Sequence, residues 1–269
     1  MKKPTFILDT PTVIQKSVTI KTIPLPTEYT GYVAIPRSLR AYVFTCTKTR
    51  EVILHKRLSY LGDTEILFSG QELNQSDLDA FLAVKHLAHS DFPNTTTIKT
   101  SKILRLLDRT DGLNSRKKLI DQLRSLRFAF IEIKNDKRGE YFSGNLISEL
   151  RASEDYCSVE VGLNNTLHRL FEKNWQYVSL ETRNGLKTSL SKWLYCFVCG
   201  QQEIYPTSVM RFKELSGSKA SYKTYRRALK TALTELKSVG LIRDFEFDEE
   251  IVKIDLKPLK SLKSQPKKL

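Results

Sequence analysis

The chain has 269 residues, 40% of them hydrophobic and 28% charged, which is the composition of a folded protein of one large or two modest domains. Lys and Arg total 44 against 30 Asp and Glu, and the net charge of +14 points to a polyanionic partner or a very basic surface. Four cysteines in a chain of this length exclude a disulfide framework and fit a reducing cytoplasm. Pro4, Asp9 and Pro11 interrupt any signal-peptide core after Met1-Lys2-Lys3, and no apolar stretch approaches the ~20 residues of a membrane span.

Residues 1–29 carry Pro4, Pro11, Pro24 and Pro26 without a helical period and read as an extended arm. Asn74 with Asp77 three residues on marks a helix start, and Leu78, Phe81, Leu82, Leu87 and Ala88 form the apolar face of a helix to about position 90. A short helix over 99–108 buries Ile103, Leu104 and Leu107, and Asp111-Gly112 is turn chemistry. Leu119, Ile120, Leu123 and Leu126 carry a third helix. Alternating runs over 128–134 and 140–147 then predict a hairpin with a basic tip.

The same order returns. Leu186, Leu190, Trp193, Leu194 and Phe197 predict an amphipathic helix over 185–200. A short helix runs from Pro206 to about 215, Ser216-Gly217-Ser218 is a turn, and a long helix covers 219–239 with Gly240 as its C′ residue. Runs over 241–247 and 250–256 alternate around Asp248-Glu249. Helix, helix, turn, helix, hairpin is the winged-helix arrangement, so the expected fold class is α+β with two tandem winged-helix domains. The expected division is an arm over 1–29, a first domain over 30–160, a second over 161–257, and a basic flexible tail over 258–269.

The charge sits where such domains read DNA. Tyr222, Tyr225, Leu229, Ala232, Leu233, Leu236 and Val239 mark the buried stripe of the long helix, and Lys219, Lys223, Arg226, Arg227 and Lys230 fall outside it. Arg and Lys there can pair with guanine O6/N7 or phosphate. Ser218, Ser221 and Tyr222 stand at the helix start, where hydroxyls and backbone N–H groups can hold a phosphate. A solvated basic face is the alternative, and the position directly after a helix-turn signature favours DNA. The matching helix of the first half opens Asn114, Ser115, Arg116, Lys117, Lys118, with Asp121 interrupting the face. Lys137 and Arg138 at the hairpin tip suit backbone phosphates.

The chemistry of an enzyme is missing. There is no G-x-x-x-x-G-K-[ST] phosphate loop. His86 and His89 lack further metal ligands, Cys196 and Cys199 read as core-facing thiols, and no carboxylate pair has acid–base spacing. The expectation is a protein that is not an enzyme and has neither a metal site nor a cofactor.

The stretch from Ser69 to Asp79, continuing to His86, Leu87 and Ala88, resembles the start of the first domain of TrfA-type plasmid replication initiators. Residues 161–257 are similar to their second domain, with Tyr205-Pro206, Leu215 to Ser218, Tyr225 to Leu229 and Gly240-Leu241 carrying the likeness, together with Trp175 and the helix over 189–197. Residues 1–60 do not match. The resemblance implies binding to repeated origin sequences (iterons), opening of a nearby AT-rich region with its single strands, and recruitment of the host initiator and helicase in the bacterial cytoplasm. It also implies exchange between DNA-binding monomers and homodimers. On this likeness, the DNA contacts fall on 219–230 and on 114–118. A winged-helix transcriptional repressor or autoregulator without initiation activity is the alternative.

Overall fold

The computed structural model describes residues 32–36, 43–61, 64–88, 94–135, 140–164, 175–199, 201 and 203–257. The expected arm over 1–29, His89, the tip residues Lys137 and Arg138, and the tail over 258–269 lie outside the described residues. In chain order, β1 (Tyr32–Pro36) and β2 (Phe44–Thr45) precede β3 (Val52–Leu61), β4 (Thr64–Gln71) and β5 (Leu73–Asn74). Then come α1 (Gln75–Ala88), β6 (Thr96–Lys99), α2 (Thr100–Leu106) and α3 (Leu113–Phe128). Four strands follow: β7 (Phe130–Asn135), β8 (Glu140–Asn145), β9 (Ile147–Ala152) and β10 (Ser158–Leu163). The second half holds β11 (Trp175–Ser179), α4 (Leu180–Gly185), α5 (Ser189–Val198) and β12 (Thr207–Ser208). It ends with α6 (Val209–Leu215), α7 (Tyr222–Ser238), β13 (Ile242–Asp248) and β14 (Ile251–Leu256).

The architecture is mixed helix and sheet, and one element order occurs twice. In the first unit α1, β6, α2, α3, β9 and β10 build a ladder in the order β6–β10–β9. In the second, α5, β12, α6, α7, β13 and β14 build one in the order β12–β14–β13. Each short strand before a helix pairs with the last strand of its own unit, which returns the chain to the base of the helix pair. The hairpin expected over 128–147 forms as β7–β8, but it is not the counterpart of β13–β14. It extends β3 and β4 into a separate antiparallel sheet of order β3–β4–β7–β8, with Phe130 opposite Ser69. β9–β10 takes the equivalent place, and its ladder runs from Val159 opposite Ala152 to Leu163 opposite Ile147.

Local chemistry explains the helix ends. Asn74 Oδ1 accepts from the Ser76 and Asp77 amides, and Asp77 Oδ2 accepts from the Asn74 amide at 2.8 Å, a reciprocal cap. The helix expected from 185 begins instead at Ser189, because 186–188 is extended and the Thr188 hydroxyl caps the Ser191 amide at 3.0 Å. The long helix starts at Tyr222, capped by the Ser221 hydroxyl on the Thr224 amide, so Lys219 lies in the preceding turn. Gly240 closes it with φ +73, while the Gly240 and Leu241 amides donate to Lys237 O and Leu236 O. Trp193, Phe212, Tyr225, Leu229, Leu233 and Leu236 fill the core of the second unit, each worth about 1.5–3 kcal/mol if apolar and fully buried.

A polar junction joins the halves. Asp79 of α1, 4% exposed, accepts from Arg183 Nε at 2.8 Å and from Lys192 Nζ at 2.7 Å. The fully buried Arg183 also donates to Gln75 O at 3.3 Å and Gln75 Oε1 at 3.1 Å, to Lys192 O at 3.2 Å and to Cys196 Sγ at 2.8 Å. β1 pairs with β11, placing Ala34 opposite Tyr177 where the chain enters the second unit. The turn between α6 and α7 rests on the first unit, where the Cys46 amide donates to Ser216 O at 2.8 Å.

Candidate nucleic-acid interface

Two helices follow a tight turn, α3 after α2 and α7 after α6. Both turns are closed in the same way. Asp108 (φ 52) and Gly217 (φ 66) occupy the left-handed position, and the two amides that begin there donate back to α2 and α6. A Cβ at Gly217 would stand 2.6 Å from Thr45 Cγ2, so glycine here serves both the turn and its seating on the first unit.

α7 turns Tyr225, Leu229, Ala232, Leu233 and Leu236 into the core. Lys223, Arg227 and Lys230 recur at i, i+4 and i+7 on the opposite, exposed face, with no ion-pair partner among the described residues. Arg226 is exposed but held: Nη2 donates to Glu249 O at 3.3 Å and the guanidinium lies 5.1 Å from the Phe247 ring centroid. The strand pair β13–β14 therefore fixes the direction of one arginine, whereas its cationic neighbours meet no such partner among the described residues. Ser221 caps the helix and Tyr222 is half-buried, which commits the first to structure and part of the second to packing. Ser218 donates its amide to Lys213 O at 3.1 Å.

Lys219 is not on this face. Its Nζ contacts Glu51 Oε1 at 2.6 Å and Glu72 Oε2 at 3.2 Å, carboxylates of the first unit. The Glu51 contact raises the ammonium pKa and lowers that of Glu51 in return. The helical register expected from 219 fails here because the cap falls on Ser221, leaving Lys219 in a turn that faces Glu51 and Glu72.

The α3 cations are largely answered within their own unit. Arg116 donates from Nε and Nη2 to Asp111 at 2.6 and 2.9 Å and from Nη1 to Cys157 Sγ at 2.7 Å. Lys117 Nζ stands 5.9 Å from the Tyr156 ring centroid, and Arg124 pairs with Asp121 at 3.0 Å. Asn114 and Lys118 are exposed, Ser115 is half-buried, and Lys118 borders a shallow polar hollow with Arg50, Ser76 and Asp121. Arg116 is thus a structural cation of the β9–β10 turn, a role hidden in sequence because Cys157 is distant along the chain.

The turns that close both ladders are acidic. Glu154 and Asp155 lie in the first, and Asp248, Glu249 and Glu250 in the second. The Ser153 hydroxyl and the Cys157 amide hold the Asp155 carboxyl down at about 2. These turns organise nearby cations, as Lys253 does with Asp248 at 2.9 Å, and present no positive charge of their own to phosphate. The exposed Thr224, Thr231 and Thr234 of α7 follow the cationic face and carry no charge to single them out in the sequence. Glu51 and Glu72 are likewise marked only by their contacts with Lys219.

Cys196 is buried, Cys199 half-buried, and none of the four cysteines forms a disulfide. Among the described residues no group of three or more His, Cys, Asp or Glu is placed to hold a metal, and no helix is long and apolar enough to cross a membrane.

No protein-family model matches the chain, and no curated protein matches it in sequence. Solved structures do share its fold. Domains 2 and 3 of RctB superpose with a TM-score of 0.57 at 11% identity, covering 82% of this chain and 96% of that one. A selenomethionine form of the same domains gives 0.56 at 12%, covering 82% and 98%. The Pi initiator protein in complex with iteron DNA gives 0.56 at 12%, covering 86% of this chain and 99% of that one. The likeness spans both units and establishes a shared fold.

Proposed function

We propose that the chain is a replication initiator that binds repeated origin sequences through two winged-helix domains, in the iteron-binding class that includes TrfA-type proteins. The observation that carries this reading is the exposed cationic face of α7, Lys223, Arg227 and Lys230, placed directly after a helix-turn whose unit occurs twice in one chain. The likeness of both units to a protein solved with iteron DNA supports it. α7 is the main reading helix, β13–β14 is its wing, and α3 with β9–β10 forms the weaker partner. In this reading the protein hydrolyses no nucleotide. It opens adjacent AT-rich DNA by binding energy and assembly, and engages the host initiator and helicase in a bacterial cytoplasm as a monomer in exchange with a homodimer.

A repressor built on the same fold would use the same cations. Selection of duplexes from a randomised library by the full chain separates the two. Recovery of an asymmetric site that binds as tandem direct repeats supports initiation, and permanganate-reactive thymines in adjacent AT-rich DNA of a supercoiled plasmid test opening. A palindromic consensus without opening supports repression. A flat dependence of log K on log salt removes the DNA reading altogether.

A further inference from the structure

The contact of Lys219 with the first unit has a geometry that bears on DNA affinity. Glu72 donates its amide to Glu51 O at 2.9 Å, and Glu51 returns its amide to Glu72 Oε2 at 3.2 Å, so two carboxylates are held side by side. Both converge on one ammonium. Upstream of Glu51, the chain is seated against the α6–α7 turn by the Cys46–Ser216 hydrogen bond and by the close approach of Thr45 to Gly217. Lys219 precedes the α7 cap and stands four residues before Lys223, next to the positive end of a helix dipole. An ammonium on a flexible stem at that place is a phosphate ligand by position and chemistry. Here two carboxylates occupy it, as phosphate oxygens would. The Lys219 side chain is 42% exposed and Glu51 61% exposed, whereas Glu72 is 9% exposed, so the outer contact is solvated while the inner carboxylate is largely shielded from water.

We propose that Glu51 and Glu72 withhold Lys219 from the duplex while the two units are docked as described, so that parting of the first unit from the α6–α7 turn adds a phosphate contact to the second. The inference rests on the DNA-binding reading of α7. It makes the seating of one unit on the other a control on affinity, exerted through an internal mimic of the DNA backbone.

The test uses the full chain and a labelled mixed-sequence duplex titrated across salt concentrations. In the wild type, Lys219→Ala should leave the slope of log K against log salt unchanged, because the ammonium is already occupied. Glu51→Gln with Glu72→Gln should steepen the slope by about 0.9, one phosphate, which is roughly a three- to fourfold larger loss of affinity between about 50 and 200 mM salt. Adding Lys219→Ala to that pair should abolish the steepening. Glu51→Gln alone changes an exposed residue and should move in the same direction, so the result does not depend on Glu72→Gln folding normally. Three results overturn the proposal: a flatter slope for Lys219→Ala alone, no change in the Gln variants, or a gain that survives Lys219→Ala. In each of these the wild type still binds. Absence of wild-type binding at low salt instead overturns the DNA-binding reading, and this inference with it.

Discussion

Asp79→Asn is the perturbation whose cost the structure defines best. The carboxylate faces two cations, but they differ in what they can do when it is neutralised. Lys192 is 19% exposed and can turn its ammonium toward water, whereas Arg183 is fully buried and cannot. The guanidinium would keep its hydrogen bonds to Gln75, Lys192 O and Cys196, so what is lost is charge compensation more than donor satisfaction. Removing one partner of a buried pair costs about 3–5 kcal/mol. Against a total stability of roughly 5–15 kcal/mol that is a large share. Arg183→Met is expected to cost less, because Lys192 still neutralises Asp79 from 2.7 Å. The double variant should lose well less than the sum of the two single losses, since the stranded charge disappears with its partner. Urea unfolding at neutral pH, followed by far-ultraviolet circular dichroism and by tryptophan fluorescence, gives all four corners of the cycle. An Asp79→Asn protein within about 1 kcal/mol of wild type, or strictly additive losses, would refute the argument that a desolvated charge pair holds the halves together.

Other expectations follow from the candidate interface. Lys223→Ala, Arg227→Ala and Lys230→Ala should each flatten the salt slope of duplex binding by up to about 0.9, while Arg116→Ala should leave it unchanged; the reverse order would move the interface to α3. Arg226→Ala should cost about 1–3 kcal/mol at one base position of a selected site if the arginine reads a guanine, and Phe247→Ala should blur the same position without abolishing it. Binding to single-base variants at fixed salt measures both, and a uniform loss across sequences would make Arg226 a phosphate contact. Burial raises the phenol pKa of Tyr195 and Tyr225, so their stabilising contribution is complete below the ordinary value near 10 and is lost as pH rises toward the raised ones. Tyrosinate absorbance should show both ionising together with unfolding, and ionisation of either in the folded protein would contradict their burial.

The second unit was legible in the sequence because local signals agreed. The stripe through Tyr225, Leu229 and Leu236 has helical period, the cations fall outside it, and Gly240 stops it. The first unit was legible in its helices and in the β7–β8 hairpin, but not in the place that hairpin takes or in its other strands. β3 defeats alternation because its pairing with β4 shifts register twice and His55 takes φ 50. β9 buries little beyond Ile147, whereas β7 carries the apolar Phe130, Ile131 and Ile133, so the more conspicuous hairpin drew the assignment that belongs to the quieter one. Of the candidate site, the residue types were visible and their partners were not. Lys219 meets Glu72 across 147 positions of chain, and Arg116 meets Cys157 across 41, distances over which composition and periodicity say nothing.

That difference in partnering also shapes what a binding site for this chain should look like. The two units share an element order and a ladder order, yet α3 spends its leading arginine on Asp111 and Cys157 while Lys223, Arg227 and Lys230 of α7 have no ion-pair partner among the described residues. A palindrome requires two equal reading surfaces related by a two-fold axis. Two unequal surfaces, joined through Asp79, Arg183 and Lys192 and through β1 on β11, offer no such axis within the chain. A single protomer should therefore select an asymmetric sequence with its strongest positions under α7. Copies bound as monomers along one duplex should align head to tail, the arrangement that direct repeats provide, whereas a symmetric operator would need two copies related by a two-fold axis between them.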